Sequence, residues 1–431
     1  MNTAQGLSLT LLLVMLVLTV WRKANIGLLA LACAFILVEF SDLSAEQLFG
    51  HFPGGIFTLL VGVSLLFSHL ERSGALSWLV RTVYQALGHR TYFIPWAGFI
   101  LGAMISSTGA LSTAPITLLV PVVAALSRDR PQQYFVNQMA VIIGANAAGL
   151  SPLNPTGKVI AGAAASVDVS ADYQTWGLWL AGLLVGVVAV MILQFVFQTS
   201  SFHCAGAGQV PPHSRFGFRV LLPEPLVEGR QDQLQPLYAV TSGLAVLAFV
   251  GLVVFTSTNV GLTAISLAVI MMLLFRSPQV EFFARVPWSA VLLMCGLLTY
   301  VGALQELGTM RAIARGMLSI TSNPALLLIA VAYLMALMCN IESSMIGVFG
   351  LVMPLVFSTF GQSPHLTLVL VAIAAPAVLC VVNPVHVAGT LVVGYCRQED
   401  QPLMMRRLFL LAGIFAALGP GLLALIPMAF G

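Results

Sequence analysis

Three ionisable residues, Lys158, Glu342 and His386, lie inside long apolar stretches, each with short hydroxyl or amide side chains nearby. Charge is costly in hydrocarbon unless it is paired or hydrated, so such residues mark ion or proton sites by default. The neighbouring polar groups are Ser106, Ser107 and Thr108; Asn154, Pro155 and Thr156; Asn340, Ser343 and Ser344; and Asn383, Pro384 and Thr390. Their oxygens and amides suit hydrogen bonds to a carboxylate or ligation of a cation. Each has a plainer reading. A Ser or Thr hydroxyl bonds back to its own helix as readily as to a ligand, and Lys158 can snorkel to an interface. Glu342 can make a structural hydrogen bond, and His386 can pack as a neutral ring. Read functionally, the Lys158 ammonium takes the place of a sodium ion or neutralises a substrate carboxylate. Glu342, with His386, then gains and loses a proton.

The elements that position these groups must be membrane spans. Of 431 residues, 59% are hydrophobic and 8% are charged, with a mean hydropathy of +0.99; a soluble domain carries roughly 25% charged residues. This composition excludes a soluble enzyme, a nucleic-acid reader and a disulfide-stapled secreted module. Cys33, Cys295, Cys339, Cys380 and Cys396 lie in or beside apolar stretches and read as core thiols, while Cys204 sits in a polar loop. The apolar run from Leu7 has no basic residue before it, so it reads as a retained span rather than a signal peptide.

The chain resembles itself when shifted by 234 residues. Asn25, Gly27, Leu28 and Ala30 fall on Asn259, Gly261, Leu262 and Ala264, and Pro53, Gly62, Leu70, Gly74 and Arg81 on Pro287, Gly296, Leu304, Gly308 and Arg315. Pro121 matches Pro354 at 233, and Asn154-Pro155 matches Asn383-Pro384 at 229. The expected organisation is a first repeat at 1–198, a linker at 199–237 and a second repeat at 238–431.

Hydropathy places spans at about 5–21, 25–40, 55–70, 132–166 and 174–198, then at 238–256, 259–276, 289–304, 365–395 and 405–430. Residues 91–127 carry no charge; as one helix they would be about 55 Å long, too long for one crossing and short for two. With a small polar centre at Ser106–Thr113, this stretch reads as a re-entrant hairpin buried in protein. Its counterpart tip is at Asn340–Ser344. The long spans are interrupted at Gly149–Gly157 and Val382–Thr390, where Pro and Gly cannot continue a helix. Each half then crosses five times, so the halves are inverted. This topology puts 15 of the 18 Lys and Arg residues on one side, Arg311 and Arg315 on the other and Lys158 within. The positive-inside rule makes the rich side cytoplasmic, with residues 199–237 inside and both termini outside. Segments 75–87 and 309–320 read as interfacial amphipathic helices.

The run Gly144-Ala145-Asn146-Ala147-Ala148-Gly149-Leu150-Ser151-Pro152, continuing through Pro155-Thr156-Gly157, resembles the signature of MatC-type malonate and dicarboxylate carriers. These belong to the ion transporter superfamily that includes the divalent anion/sodium symporters. The resemblance implies a homodimer in the inner (plasma) membrane, with a scaffold from about 1–90 and 238–320. A transport part from about 91–198 and 321–431 would carry substrate by an elevator motion. Symporters of that superfamily have Ser-Asn-Thr at each hairpin tip. Here the tips read Ser106-Ser107-Thr108 and Asn340-Ile341-Glu342, so sodium coupling and a divalent substrate do not carry over directly.

The expected function is secondary transport of a small mono- or dicarboxylate anion, coupled to protons or to anion exchange. The alternatives are sodium-coupled dicarboxylate symport, and a cation/proton antiporter or oxyanion efflux permease of the same architecture. An enzyme is not expected, since no HExxH, close carboxylate pair or Ser/His/Asp arrangement appears, and His203, Cys204 and His213 read as loop residues. No cofactor motif and no nucleic-acid partner is apparent; the coupling ion would be a proton or sodium.

Overall fold

The computed structural model describes residues 3–22, 25–87, 90–127, 131–167, 169, 172–199, 236–256, 258–276, 279–320, 323–341 and 345–430. All but three of the linker positions 199–237 lie outside the described residues, as do Asp168 and the tip residues Glu342, Ser343 and Ser344.

Every described element is helical. The chain runs through α1 (Thr3–Arg22), α2 (Ile26–Phe40), α3 (Ala45–Gly50), α4 (Gly54–Arg72) and α5 (Ala75–Leu87). It continues through α6 (Ile94–Ser107), α7 (Thr113–Leu126), α8 (Pro131–Ala148), α9 (Pro155–Ala165) and α10 (Asp172–Thr199). Then follow α11 (Pro236–Thr256), α12 (Val260–Leu274), α13 (Gln279–Arg285), α14 (Trp288–Glu306) and α15 (Thr309–Ile320). The last are α16 (Pro324–Ile341), α17 (Met345–Phe360), α18 (Leu366–Cys380), α19 (Val387–Gly394) and α20 (Gln401–Phe430).

Like residues shape like helix ends. The Asn25 side chain caps α2 by accepting from the N–H groups of Gly27 and Leu28, and Asn259 caps α12 by accepting from Leu262 N–H. Pro53 and Pro287 precede α4 and α14 with nearly equal backbone angles, φ −79°, ψ 66° and φ −76°, ψ 72°. The turns into α5 and α15 need a left-handed residue, supplied by Gly74 (φ 74°) and Gly308 (φ 70°).

Packing is reciprocal between the two stretches: α2 lies against α14, and α12 against α4. At the first crossing a Cβ on Gly27 would sit 2.1 Å from the Leu292 carbonyl oxygen, and one on Gly296 only 2.0 Å from the Gly27 oxygen. At the second, a Cβ on Gly62 would sit 2.7 Å from the Gly261 oxygen, and one on Gly261 2.6 Å from Leu59 N. Backbone therefore touches backbone at both crossings, the close approach that small residues permit between apolar helices.

Helices α6 and α7, of 14 residues each, reach only about 21 Å and so cannot cross a ~30 Å hydrocarbon core. Together they form a hairpin around Gly109 (φ +117°), packed on α8. Gly144 of α8 meets the Phe99 backbone of α6, where an added Cβ would lie 2.4 Å from the carbonyl oxygen. Five helical stretches among the described residues are long and apolar enough to cross a membrane: Gly54–Arg72, Thr175–Phe197, Pro236–Thr256, Trp288–Glu306 and Gln398–Ala429.

Polar side chains tie the elements together at the ends of the bundle. At one end Arg72 pairs with Glu281 at 2.6 Å and Arg285 with Glu71 at 3.8 Å, clamping α13 to α4. At the other, His51 meets Glu306 at 3.1 Å, Gln305 donates to Ser166 Oγ at 2.9 Å, and Gln5 donates to the Leu307 carbonyl at 3.0 Å. The five described cysteines are all buried and unpaired with one another.

Candidate functional site

Both broken helices turn through the same six-residue shape, at 149–154 and 381–386, before restarting as α9 and α19. The N–H of Asn154 bonds the Ser151 carbonyl at 2.9 Å, and that of His386 bonds the Asn383 carbonyl at 3.0 Å. Gly157 and Gly389 stand third in the new helices, where a Cβ would meet the returning chain at 2.0 Å (Ser151 O) and 2.4 Å (Asn383 O). The structural register between the two breaks is therefore 232 residues. The Asn-Pro identity at 229 is not the equivalence the structure makes: Ser151 stands opposite Asn383, Asn154 opposite His386, and Lys158 opposite Thr390.

This register explains how each break holds its hairpin. The Asn154 amide donates to the carbonyls of Ser106 (2.9 Å) and Ala110 (2.7 Å), and its Oδ1 accepts from Thr156 N–H (3.0 Å). His386 Nε2 donates to the Cys339 carbonyl at 2.7 Å; a ring nitrogen facing a carbonyl must carry the proton. One turn earlier, Ser151 Oγ donates to the Ser107 carbonyl (2.8 Å), and Asn383 Nδ2 donates to the carbonyl and Oδ1 of Asn340 (3.2 Å each). Asn and His at one position thus perform the same act, holding a hairpin tip to the start of a half-helix.

The remaining candidates divide by what their polar atoms are doing. Ser106 is fully buried and its Oγ has no partner among the described residues, whereas half-buried Ser107 accepts from Trp179 Nε1 at 3.2 Å. Thr108 bonds back to the Ile105 carbonyl at 2.9 Å. Pro155 and Thr156 are buried in the first turn of α9, where Lys158 is half-buried. Asn340 donates to the Ala336 carbonyl at 3.0 Å, and Thr390 bonds back to the carbonyls of Pro384 (2.9 Å) and His386 (3.0 Å). The structure thus joins 106–110 to 151–154 and 339–340 to 383–386. The helices that carry the two groups pack on one another, α8 against α18 and α9 against α17. Trp179 was not legible as a site residue, although an indole N–H in an apolar span needs an acceptor.

Asymmetry is plain. The first break is buried throughout, while at the second Val385 is 55% and Val387 51% exposed. The start of α9 is capped by Asn154; α19 starts with no side-chain cap.

Apolar helices of spanning length, a hairpin too short to cross and two interrupted helices are the architecture of a multi-pass membrane protein. The model of the citrate transporter family matches residues 16–379, and the chain belongs to that family. No curated protein sequence matches it. Its fold is similar to that of the Alcanivorax borkumensis YdaH transporter, described as having an unusual topology, at 15% identity and TM-score 0.62 over 94% of this chain and 97% of that one. Family and structural neighbour are both described as transporters.

Proposed function

We propose that the protein is a secondary active transporter of a citrate-type or related small carboxylate anion, with malonate and other dicarboxylates as the substrates its signature run favours. The carrying observation is the hydrogen-bonded unit of hairpin tip and half-helix, made by Asn154 with Ser106 and Ala110 and by His386 with Cys339, in a chain of the citrate transporter family. A tip bonded to a break moves with it. In the elevator reading, inverted repeats supply a homodimeric scaffold (1–90 and 238–320), and the part at 91–198 and 321–431 moves past it. The hydrogen bond from Gln305 to Ser166 would then break in each stroke. The uncapped start of α19 suits a carboxylate through its N–H groups and positive dipole end.

Uptake into proteoliposomes tests the substrate class, with labelled citrate, malate and malonate offered under a sodium or a proton gradient. Uptake of at least one, driven by the proton gradient or by internal anion, is expected. Absence of uptake of all three would leave the cation/proton antiporter reading standing, and uptake that needs sodium and ignores pH would establish symport instead.

Proton coupling is placed on His386 together with Glu342, which lies outside the described residues. Asn154 occupies the matching position with the same kind of donor, so His386→Asn keeps a donor toward Cys339 but cannot titrate. The variant is expected to transport with a flattened pH dependence. An unchanged pH profile would remove His386 from the coupling site.

The orientation proposed is an inner-membrane protein with both termini outside. Cysteines introduced at Gln362, between α17 and α18, and at Glu399, before α20, should differ: an impermeant thiol reagent should label 362 in intact cells and 399 only after lysis. The five described cysteines are buried, and Cys204→Ser in the background removes the sixth. The opposite pattern would invert the topology.

A further inference from the structure

We propose that Trp179 is a positioning residue that turns the Ser107 hydroxyl into a dedicated hydrogen-bond donor, so that the first hairpin tip selects an ionised carboxylate over a protonated acid or a cation. The proposal rests on the carboxylate-carrier reading above.

An indole N–H only donates, whereas a hydroxyl has one hydrogen and two lone pairs. Trp179 Nε1 donates to Ser107 Oγ at 3.2 Å, so the Ser107 hydrogen cannot point at the indole. Nor does it find an acceptor among the described residues. The other hydroxyls nearby are differently placed: Thr108 gives its hydrogen to Ile105 O and Ser151 gives its own to Ser107 O. Ser151 Oγ also accepts an N–H, from Leu153 at 3.2 Å, but its hydrogen is spent on Ser107 O; at Ser107 the N–H of Trp179 fixes the polarity and leaves the hydrogen to spare. Beside it the fully buried Ser106 Oγ has no partner among the described residues, a second unspent polar group at the same tip.

Trp179 is itself held. Trp176 meets it edge-on, with centroids 5.7 Å apart and planes at 75°. The ligand that suits this arrangement is an oxygen that only accepts. A cation seeking the Oγ lone pairs would find one taken and an N–H dipole aimed at it, and a protonated carboxyl could use only its carbonyl oxygen, a weaker acceptor than a carboxylate.

The test is a double-substitution cycle on the full-length protein in proteoliposomes, read as KM and maximal rate for labelled citrate and malonate. Trp179→Phe removes the N–H and keeps an aromatic ring. It is expected to raise KM about tenfold with the maximal rate little changed, the size of one charge-assisted hydrogen bond. Ser107→Ala should raise KM at least as much, and adding Trp179→Phe to Ser107→Ala should change nothing further, because a residue acting only through another has no effect in its absence. Trp176→Phe, which keeps the packing partner, should leave KM as in wild type. Additive effects, an equal effect from Trp176→Phe, or an unchanged KM in Ser107→Ala would each overturn the proposal alone; the last needs no Trp179 variant to fold. Wild-type vesicles that take up no carboxylate would overturn the carrier reading and this one with it.

Discussion

Asn154→Leu is expected to abolish transport and to lower the unfolding midpoint of the purified protein sharply. Leucine has the same number and branching of side-chain heavy atoms as asparagine, so the site stays filled. Left without the Asn154 amide are the Ala110 carbonyl and the Thr156 N–H, both sealed from water, while the buried Ser106 carbonyl keeps only its 3.2 Å bond from Gly109 N–H. Each buried group stripped of its partner costs about 1–3 kcal/mol, or on the order of 4 kcal/mol together. That is a large share of a typical net stability of about 5–15 kcal/mol. Asn383→Leu should cost clearly less. Its bonds to Asn340 are long, at 3.2 Å, and they lie beside the exposed Val385, where water can replace them. Thermal unfolding in detergent with parallel uptake assays measures both. A wild-type midpoint in Asn154→Leu, or a larger loss in Asn383→Leu, would mean that the clamp does not hold the tip.

Gly296→Ala should be similarly damaging for a different reason. The added methyl would stand 2.0 Å from the Gly27 carbonyl oxygen and 2.6 Å from its carbon. Both are backbone atoms of a helix and cannot rotate away as a side chain could. Helices α2 and α14 must therefore separate, at a cost of about 3 kcal/mol or more. The same reasoning applies to Gly62 and Gly261 at the reciprocal crossing. Gly243, on the outer face of α11, is the control, since a methyl there meets nothing within 4 Å. Gly243→Ala should be neutral or stabilising by roughly 0.5–1 kcal/mol through helix propensity. Yield of monodisperse protein and unfolding midpoint read the contrast; equal behaviour of the two variants would show that the crossing is not tight.

Much of the framework can be read without coordinates because it rests on neighbours in the chain. A Pro or Gly breaks a helix wherever it stands, so the interruptions at 149–157 and 382–390 were visible in the residues themselves. The observed turns at 149–154 and 381–386 fall where they were expected. An Asn ahead of an apolar run caps a helix locally, and Asn25 and Asn259 do so. The charge-free stretch 91–127 is too long for one span and too short for two, and it folds as the hairpin of α6 and α7.

Which group holds which was decided only by tertiary packing. Identity of residue type aligned Asn154 with Asn383, yet the structure sets Asn154 against His386, because what recurs is a donor to a hairpin carbonyl and both an amide and an imidazole supply one. Asn154 reads from its type as a ligand group, but in the folded chain both its N–H groups are spent on Ser106 and Ala110. Ser107 and Trp179, 72 residues apart, come within hydrogen-bond reach only when α10 packs beside the tip. Backbone preference is a property of adjacent residues and survives in the linear order. The partner of a buried donor is set by which distant helices share a contact, and a one-dimensional pattern of residue types does not specify that.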